Sequence, residues 1–354
     1  MDIFALMAAT HERGASDLHL SVGRRPVLRI SGGLVEIGDK VLEPADTEAM
    51  AKAILPERNL EELERTGSTD FGYAFEDKCR FRVSVLTQKG SRGVVMRQIP
   101  QQLLSFDQIG LPDSVRSLLN LHRGLVLVTG PTGSGKTTTL ATMLDWVNHN
   151  RDVHIITIED PVEYYHTHGK SQVTQREVGT DVTSFAEAMR RALRQDPDVI
   201  LLGEMRDLET TSAAITAAET GHLVFGTLHT TGAARTVDRI IDQYPREQQE
   251  QIRSQLSVAL VAVISQILVP AADGGRVAAF EVMITNPAIE NHIRKCETFK
   301  IPSVIQTSRR QGMQLMDDHL LELWREGRIT KETALERGFD QKAMLVRMGG
   351  GAPE

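Results

Sequence analysis

The sequence predicts an α/β protein: a largely parallel sheet wrapped by helices, preceded by a smaller α+β domain. Three observations predict it. The runs LVLVTG (125–130), VHIITIED (153–160), DVILLGE (198–204) and LVFGTLHT (223–230) are apolar on both faces, as strands covered by helices on both sides are. Helical stretches at 136–148, 184–194 and 208–220 separate them, the alternation expected of βαβ units. A glycine-rich loop, GPTGSGKT, joins the first of these strands to the first of these helices.

The first hundred residues follow a different grammar. The N-terminus, MDIFALMAATHERGASD, reads as a short amphipathic helix. It has no basic segment or small-residue cleavage site of a signal peptide. Runs at 27–30 and 34–37 flank the turn signal Ser31-Gly32-Gly33, and 44–63 has helical spacing with many Glu residues. Segments 70–75, 80–86 and 93–99 alternate polar and apolar residues, as half-buried antiparallel strands do. These features give a first domain at 1–99. The stretch PQQLLSFDQIGLP (100–112) is bounded by prolines and contains Gly110; prolines bias the preceding residue away from helix, so it reads as a linker. The second domain is 113–354, and from 286 onward it is mostly helical, with breaks at Pro302 and near Gly327.

Composition narrows the function classes. The net charge over 354 residues is −7 and aromatic residues are 5%. Nucleic-acid binders carry a basic excess and stacking platforms, so direct nucleic-acid binding is not expected. Cys79 and Cys296 stand alone, without a CxxC pair, which excludes a tetracysteine zinc site and suits a reducing compartment. The longest apolar run, LSVALVAVISQILV (256–269), contains Ser265 and Gln266 and falls short of the ~18 residues a membrane span needs. Any membrane role is expected to run through partners.

The loop carries the strongest chemical signal. Gly130, Pro131, Thr132, Gly133, Ser134, Gly135, Lys136 and Thr137, with Thr138 after them, match the phosphate-binding pattern G-x-x-x-x-G-K-[ST] in its proper strand–loop–helix setting. Glycines let backbone N–H groups point at phosphate oxygens, and the helix N-terminus adds positive potential. Lys136 is placed to reach the β- and γ-phosphates of ATP, and the Thr137 hydroxyl to take one Mg²⁺ position. Glu204 ends the apolar run 198–204, where a carboxylate can orient or activate an attacking water. Glu159, Asp160 and Glu163 cluster where another strand leaves the sheet, the edge at which ligands of parallel sheets bind. Crowded carboxylates call for a cation, and the Mg²⁺ of MgATP supplies one. His222 precedes the last strand and His229 ends it; a histidine at a strand's carboxyl end can hydrogen-bond a γ-phosphate. Arg80 and Arg82 share one strand face, and Arg97 lies on another strand. Spacing alone leaves these arginines as either a solvated face or donors to a neighbour's ATP.

Taken together, SDLHL (16–20), GPTGSGKTTT, TIEDPVEY (157–164), QREVG (175–179), LRQDPDVILLGEMRDLET (193–210) and AAETGHLVFGTLHT resemble the type II/IV secretion ATPase superfamily. The resemblance runs over about 16–328 and is closest to its type IV pilus retraction, or twitching-motility, branch. It implies a hexameric, cytoplasmic ATP-hydrolysing motor at the cytoplasmic face of the inner membrane. A PAS-like N-terminal domain would join a RecA-like ATPase domain, with ATP held between domains and subunits. Partners would be an inner-membrane pilus platform protein and an accessory paralogous ATPase. By position the resemblance assigns Lys136 and Thr137 to the Walker A motif, Glu159 and Glu163 to the Asp box, Glu204 to the Walker B motif and His222 and His229 to the His box. Arg82 and Arg97, with Arg80, match arginine fingers, and Thr220 matches a residue that tracks opening of an interface. Extension and secretion motors carry an extra N-terminal domain and a tetracysteine element, and neither is expected here, which favours the retraction branch. One stretch departs from the retraction pattern AIRNLIR: here it is AIENHIR (288–294). An extension or secretion ATPase and a nucleotide-responsive accessory subunit are the competing expectations.

Overall fold

The computed structural model describes residues 2–30, 32–76, 78–99 and 103–349. The chain divides into two compact units, one running through Leu103 with the added segment Pro161–Tyr165, the other comprising the remainder from Leu104.

The first unit is built on an antiparallel sheet of β1 (Asp17–Leu20), β2 (Val27–Ile30), β3 (Gly33–Glu36), β4 (Ser68–Phe75), β5 (Cys79–Gln88) and β6 (Ser91–Ile99), in the order β3-β2-β1-β6-β5-β4. Alternation decides its faces. On β5, Phe81, Val83 and Val85 are fully buried while Arg82 between them is exposed. The buried face packs with residues of helices Ile3–Glu12, Pro44–Ile54 and Glu57–Thr66. The single helical stretch expected at 44–63 is thus two helices. Pro56, the N-cap of the second, has no N–H to continue the first.

The second unit holds β7 (Gly124–Thr129), β8 (His154–Glu159), β9 (Gln172–Glu177), β10 (Val199–Leu202), β11 (Leu223–Leu228), β12 (Leu260–Pro270) and β13 (Arg276–Ile284), in the order β13-β12-β7-β11-β10-β8-β9. Every neighbouring pair is parallel except β12 with β13. On β7, Leu125 and Leu127 face a core shared with helices Phe185–Ala192, Leu208–Glu219 and Ala233–Ile241. Val126 and Val128 face the opposite core, filled by Leu140, Met143, Leu144 and Val147 of helix Lys136–Asn150. Because β7, β8, β10 and β11 run parallel, their carboxyl ends share one edge of the sheet.

One further expectation needs correction. Residues 100–102 of the expected linker lie outside the described residues, and the rest of it is folded. Ser105 and Gln108 form a capping box on helix Phe106–Ile109, and Phe106, Ile109 and Leu111 are buried in the second unit. The flanking prolines restrict only themselves and the residue before them, so the cap and three apolar anchors prevail. The apolar run 256–269 is divided between the end of helix Gln249–Ala259 and β12, where the β-branched residues Val261, Val263, Ile264, Ile267 and Val269 favour strand. Among the described residues, no helix is long and apolar enough to cross a membrane.

Candidate functional site

The glycine-rich loop leaves β7 at the shared carboxyl edge. Its glycines are required by geometry. Gly130, Gly133 and Gly135 have φ of 145°, 77° and 88°, conformations that side-chain-bearing residues rarely adopt. A Cβ on Gly130 would fall 2.1 Å from the Gln266 carbonyl oxygen, and one on Gly135 would fall 2.9 Å from Gln266 Nε2. Gln266, on β12, also accepts a hydrogen bond from Thr139 Oγ1 at 2.7 Å, so it braces both the loop and the helix after it. Lys136 opens that helix and donates from Nζ to the carbonyls of Gly130 at 2.8 Å and Pro131 at 3.1 Å. Pro131 and Thr132 are exposed, and Thr137 and Thr138 half-buried. Ser134 Oγ is buried with no hydrogen-bond partner among the described residues, so it is a polar group suited to a ligand.

Two carboxylates stand on the same edge. Glu159 ends β8, is 7% exposed, and accepts from Thr157 Oγ1 at 2.6 Å and Gln175 Nε2 at 3.3 Å. Glu204 lies two residues beyond β10, and the chain there is clamped from both sides. Gly203 N donates to Ile158 O at 2.8 Å, Met205 N to Thr227 O at 3.1 Å, and Thr227 Oγ1 to Gly203 O. A Cβ on Gly203 would lie 3.3 Å from Glu159 Cα, so a glycine lets the two chain ends meet. Glu204 Oε1 is 2.9 Å from His229 Nε2, and Oε2 is 2.6 Å from Arg206. Burial alone would raise the Glu204 pKa; the Arg206 hydrogen bond and charge, with His229, hold it below the ordinary carboxylate range. Asp207 then caps helix Leu208–Glu219, accepting from Thr210 N at 2.8 Å, which fixes the turn that carries Glu204 and Arg206.

A family profile described as type II/IV secretion system protein matches residues 4–312. The chain belongs to that family. It is 48% identical to the type IV pilus retraction ATPase PilT of Pseudomonas aeruginosa over 95% of this chain and 98% of that one. To a twitching motility protein of Neisseria gonorrhoeae it is 45% identical, over 90% of this chain and 86% of the other. A crystal structure of the pilus retraction motor PilT with bound ADP superposes with a TM-score of 0.91 at 47% identity, covering 97% of this chain and 98% of that one.

Against that secretion-family fold, the remaining candidate residues fall in two places. His222 and Thr220 lie at the start of β11, where His222 Nδ1 is 3.0 Å from Ala217 O and Thr220 Oγ1 donates to Thr216 O at 2.9 Å. β11 and β7 are parallel and in register from Leu223 opposite Gly124 to Leu228 opposite Thr129. At ~3.3 Å per residue, that puts roughly a strand's length between His222 and the phosphate loop. Within one subunit, therefore, His222 and Thr220 are not brought together with Lys136, unlike His229. Arg80, Arg82, Arg97 and Glu163 belong to the first unit. There Arg82 and Arg97 are directly paired across β5 and β6, and Arg97 Nε is 3.0 Å from Asp17 Oδ1. The Arg80 guanidinium stacks 3.8 Å over the Tyr165 ring.

Arg206 and Gln266 were not expected from the sequence. Arg206 had a signal, standing two residues after Glu204. Gln266 had a fainter one, a lone amide in an apolar run.

Proposed function

We propose that this chain is an ATP-hydrolysing motor that drives type IV pilus retraction. The observation that carries the reading is the Glu204–His229 contact at 2.9 Å, on the same sheet edge as the loop of Lys136. The names of its relatives, a retraction ATPase and a twitching motility protein, support the same reading.

In this reading, the loop amides of Gly130 to Thr138 and the Lys136 ammonium hold the ATP phosphates. Ser134 Oγ, buried and without a partner among the described residues, supplies a further hydrogen bond there. Mg²⁺ needs few protein ligands when phosphates complete its shell; the Thr137 hydroxyl and the Glu159 carboxylate are its candidate protein oxygens. Bound there, the ion supplies charge neutralisation for the transferred phosphoryl group. Glu204, kept anionic by Arg206, orients and activates the attacking water. His229 fixes the Glu204 carboxylate and is placed to sense the γ-phosphate. Arg82 and Arg97, with Arg80, act as fingers from the first unit of an adjacent subunit, in a homo-hexameric ring. Thr220 and His222, remote from the phosphate loop of their own subunit, serve a subunit contact. The ring works at the cytoplasmic face of the inner membrane, against a pilus platform protein, with an accessory paralogous ATPase.

The altered stretch AIENHIR supports one second reading, that of a nucleotide-responsive accessory subunit. In helix Pro287–Arg294, Glu290 lies 3.5 Å from Arg294, and His292 lies 3.1 Å from Glu297. The reversed charge is met locally, so this surface is chemically unlike a basic one. Two experiments decide. Purified protein, with its native mass measured, should hydrolyse ATP as an oligomer; no turnover favours the accessory reading. A deletion strain should carry excess pili and lose twitching; bald cells would mean extension instead.

A further inference from the structure

His229 reaches Glu204 from a short loop between β11 and helix Ala233–Ile241. Its position depends on what fixes that loop. The Gly232 amide donates to Ser265 Oγ at 2.9 Å, and the next amide, Ala233, donates to Glu281 Oε1 at 2.7 Å. Ser265 and Glu281 sit directly opposite each other on β12 and β13. Ser265 is also opposite Thr129, the residue before the glycine-rich loop. The next residue on β12, Gln266, is the brace of that loop.

Glu281 has a second attachment. Its Oε2 accepts from the amide of Met316 at 3.4 Å, the first residue of helix Met316–Arg325. The carboxylate is 7% exposed. Its hydrogen bonds come from two helix N-termini, whose partial positive charge suits an acidic group. Burying a carboxylate without a cation is a poor way to gain stability, and an apolar side chain of similar volume often serves a core as well. What an apolar residue cannot do is hold two amides from separate elements at once.

We propose that Glu281 is a positioning residue for ATP hydrolysis, tying the His229 loop to β13 and to the C-terminal helices so that His229 stays on Glu204. Ser265 holds the same loop one residue earlier. The proposal rests on the reading of Glu204 and His229 as the hydrolytic pair. It adds a route by which movement of the C-terminal helices reaches the site, through Met316, Glu281 and Ala233.

The test uses full-length assembled protein and three variants, with kcat, KM for ATP and the unfolding temperature measured for each. Glu281→Gln keeps the shape but leaves one amide facing an NH₂ group. It should lower kcat on the order of tenfold with KM nearly unchanged, the signature of a misplaced catalytic group. Ser265→Ala should lower kcat in the same direction by less. His229→Ala is the reference and should itself be impaired. Wild-type kcat in both Glu281→Gln and Ser265→Ala beside an impaired His229→Ala overturns the tether alone. So does a loss of rate that only follows loss of folded protein. A fully active His229→Ala instead overturns the underlying reading of the site, and the tether with it.

Discussion

Glu204 and His229 lie 25 residues apart in sequence and 2.9 Å apart in space. Parallel pairing of β10 with β11 puts both just past the ends of neighbouring strands, and the clamp on Gly203 and Met205 removes the slack between them. Arg206 occupies the other carboxylate oxygen at 2.6 Å. Glu204 is therefore held on two sides and kept anionic, the state a water-activating base requires.

Arg206 should consequently set the acid limit of activity. Burial works against the charged form of Glu204, and Arg206 is the first influence that lowers its pKa. With Arg206→Ala, that pKa rises and the base is lost at a higher pH as the solution is acidified. The acid limb of a kcat/KM–pH profile should move upward in pH. An unmoved limb would show that Arg206 does not tune Glu204. The sign for stability is the same: what the ionised carboxylate contributes is present above its unfolded pKa and is lost as pH falls through the lower folded one.

Lys136→Ala should abolish useful nucleotide binding. Its ammonium now rests on the carbonyls of Gly130 and Pro131, the spot where loop and helix N-terminus converge. Charge-assisted contacts to phosphate are the strong ones, so affinity for a fluorescent ATP analogue should fall at least ~100-fold. Affinity near that of the wild type would remove Lys136 from the site.

Gly203→Ala tests the clamp. The added Cβ meets Glu159 Cα and Ile158 O at 3.3 Å, so the end of β10 must shift and carry Glu204 with it. We expect kcat to fall about tenfold, since small misplacements of a catalytic group are costly. The unfolding temperature should change by only a few degrees. A wild-type kcat would mean that the fit at Gly203 has no bearing on Glu204.

The C-terminal helices should lose stability in mild acid. His319 is half-buried, stacked on Phe280 with ring centroids 5.9 Å apart, and its Nδ1 accepts from Phe280 N at 2.9 Å. Burial, followed by the Arg328 charge, lowers its pKa from 6.5 to about 4. The folded state thus resists protonation that the unfolded state accepts. The contribution is whole above pH 6.5 and fades as pH falls toward about 4, a loss of at most roughly 3 kcal/mol. Denaturant midpoints of wild type and His319→Gln, measured across that range, should diverge above it and converge below; parallel curves would contradict the linkage.

The sequence carried the centre of the sheet but not its margin. β7, β8, β10 and β11 were legible because uninterrupted apolar runs ending in Gly, Glu or His have few other uses. β12 was not, since a long apolar run has no period to separate strand from helix. Only the structure divides it at Leu260. Within the site, Lys136, Glu159, Glu204 and His229 could each be named from their place at strand or helix ends. Their mutual contacts could not, because register between distant strands is not written in either strand. The same holds for His222. Its place at the start of a strand was readable, but its distance from Lys136 follows only from β11 lying parallel to β7. Gln266 and Glu281 act through strands whose pairing was not foreseen, which is why both were missed.

The most direct test is a single preparation of Glu204→Gln, assayed for ATP affinity and for phosphate release. The amide keeps the carboxylate's shape beside His229 and Arg206 but has no base to offer. Binding within a few-fold of wild type and phosphate release slowed by a hundredfold or more is the expected result. Phosphate release at the wild-type rate would contradict the assignment of Glu204 as the group that readies the water.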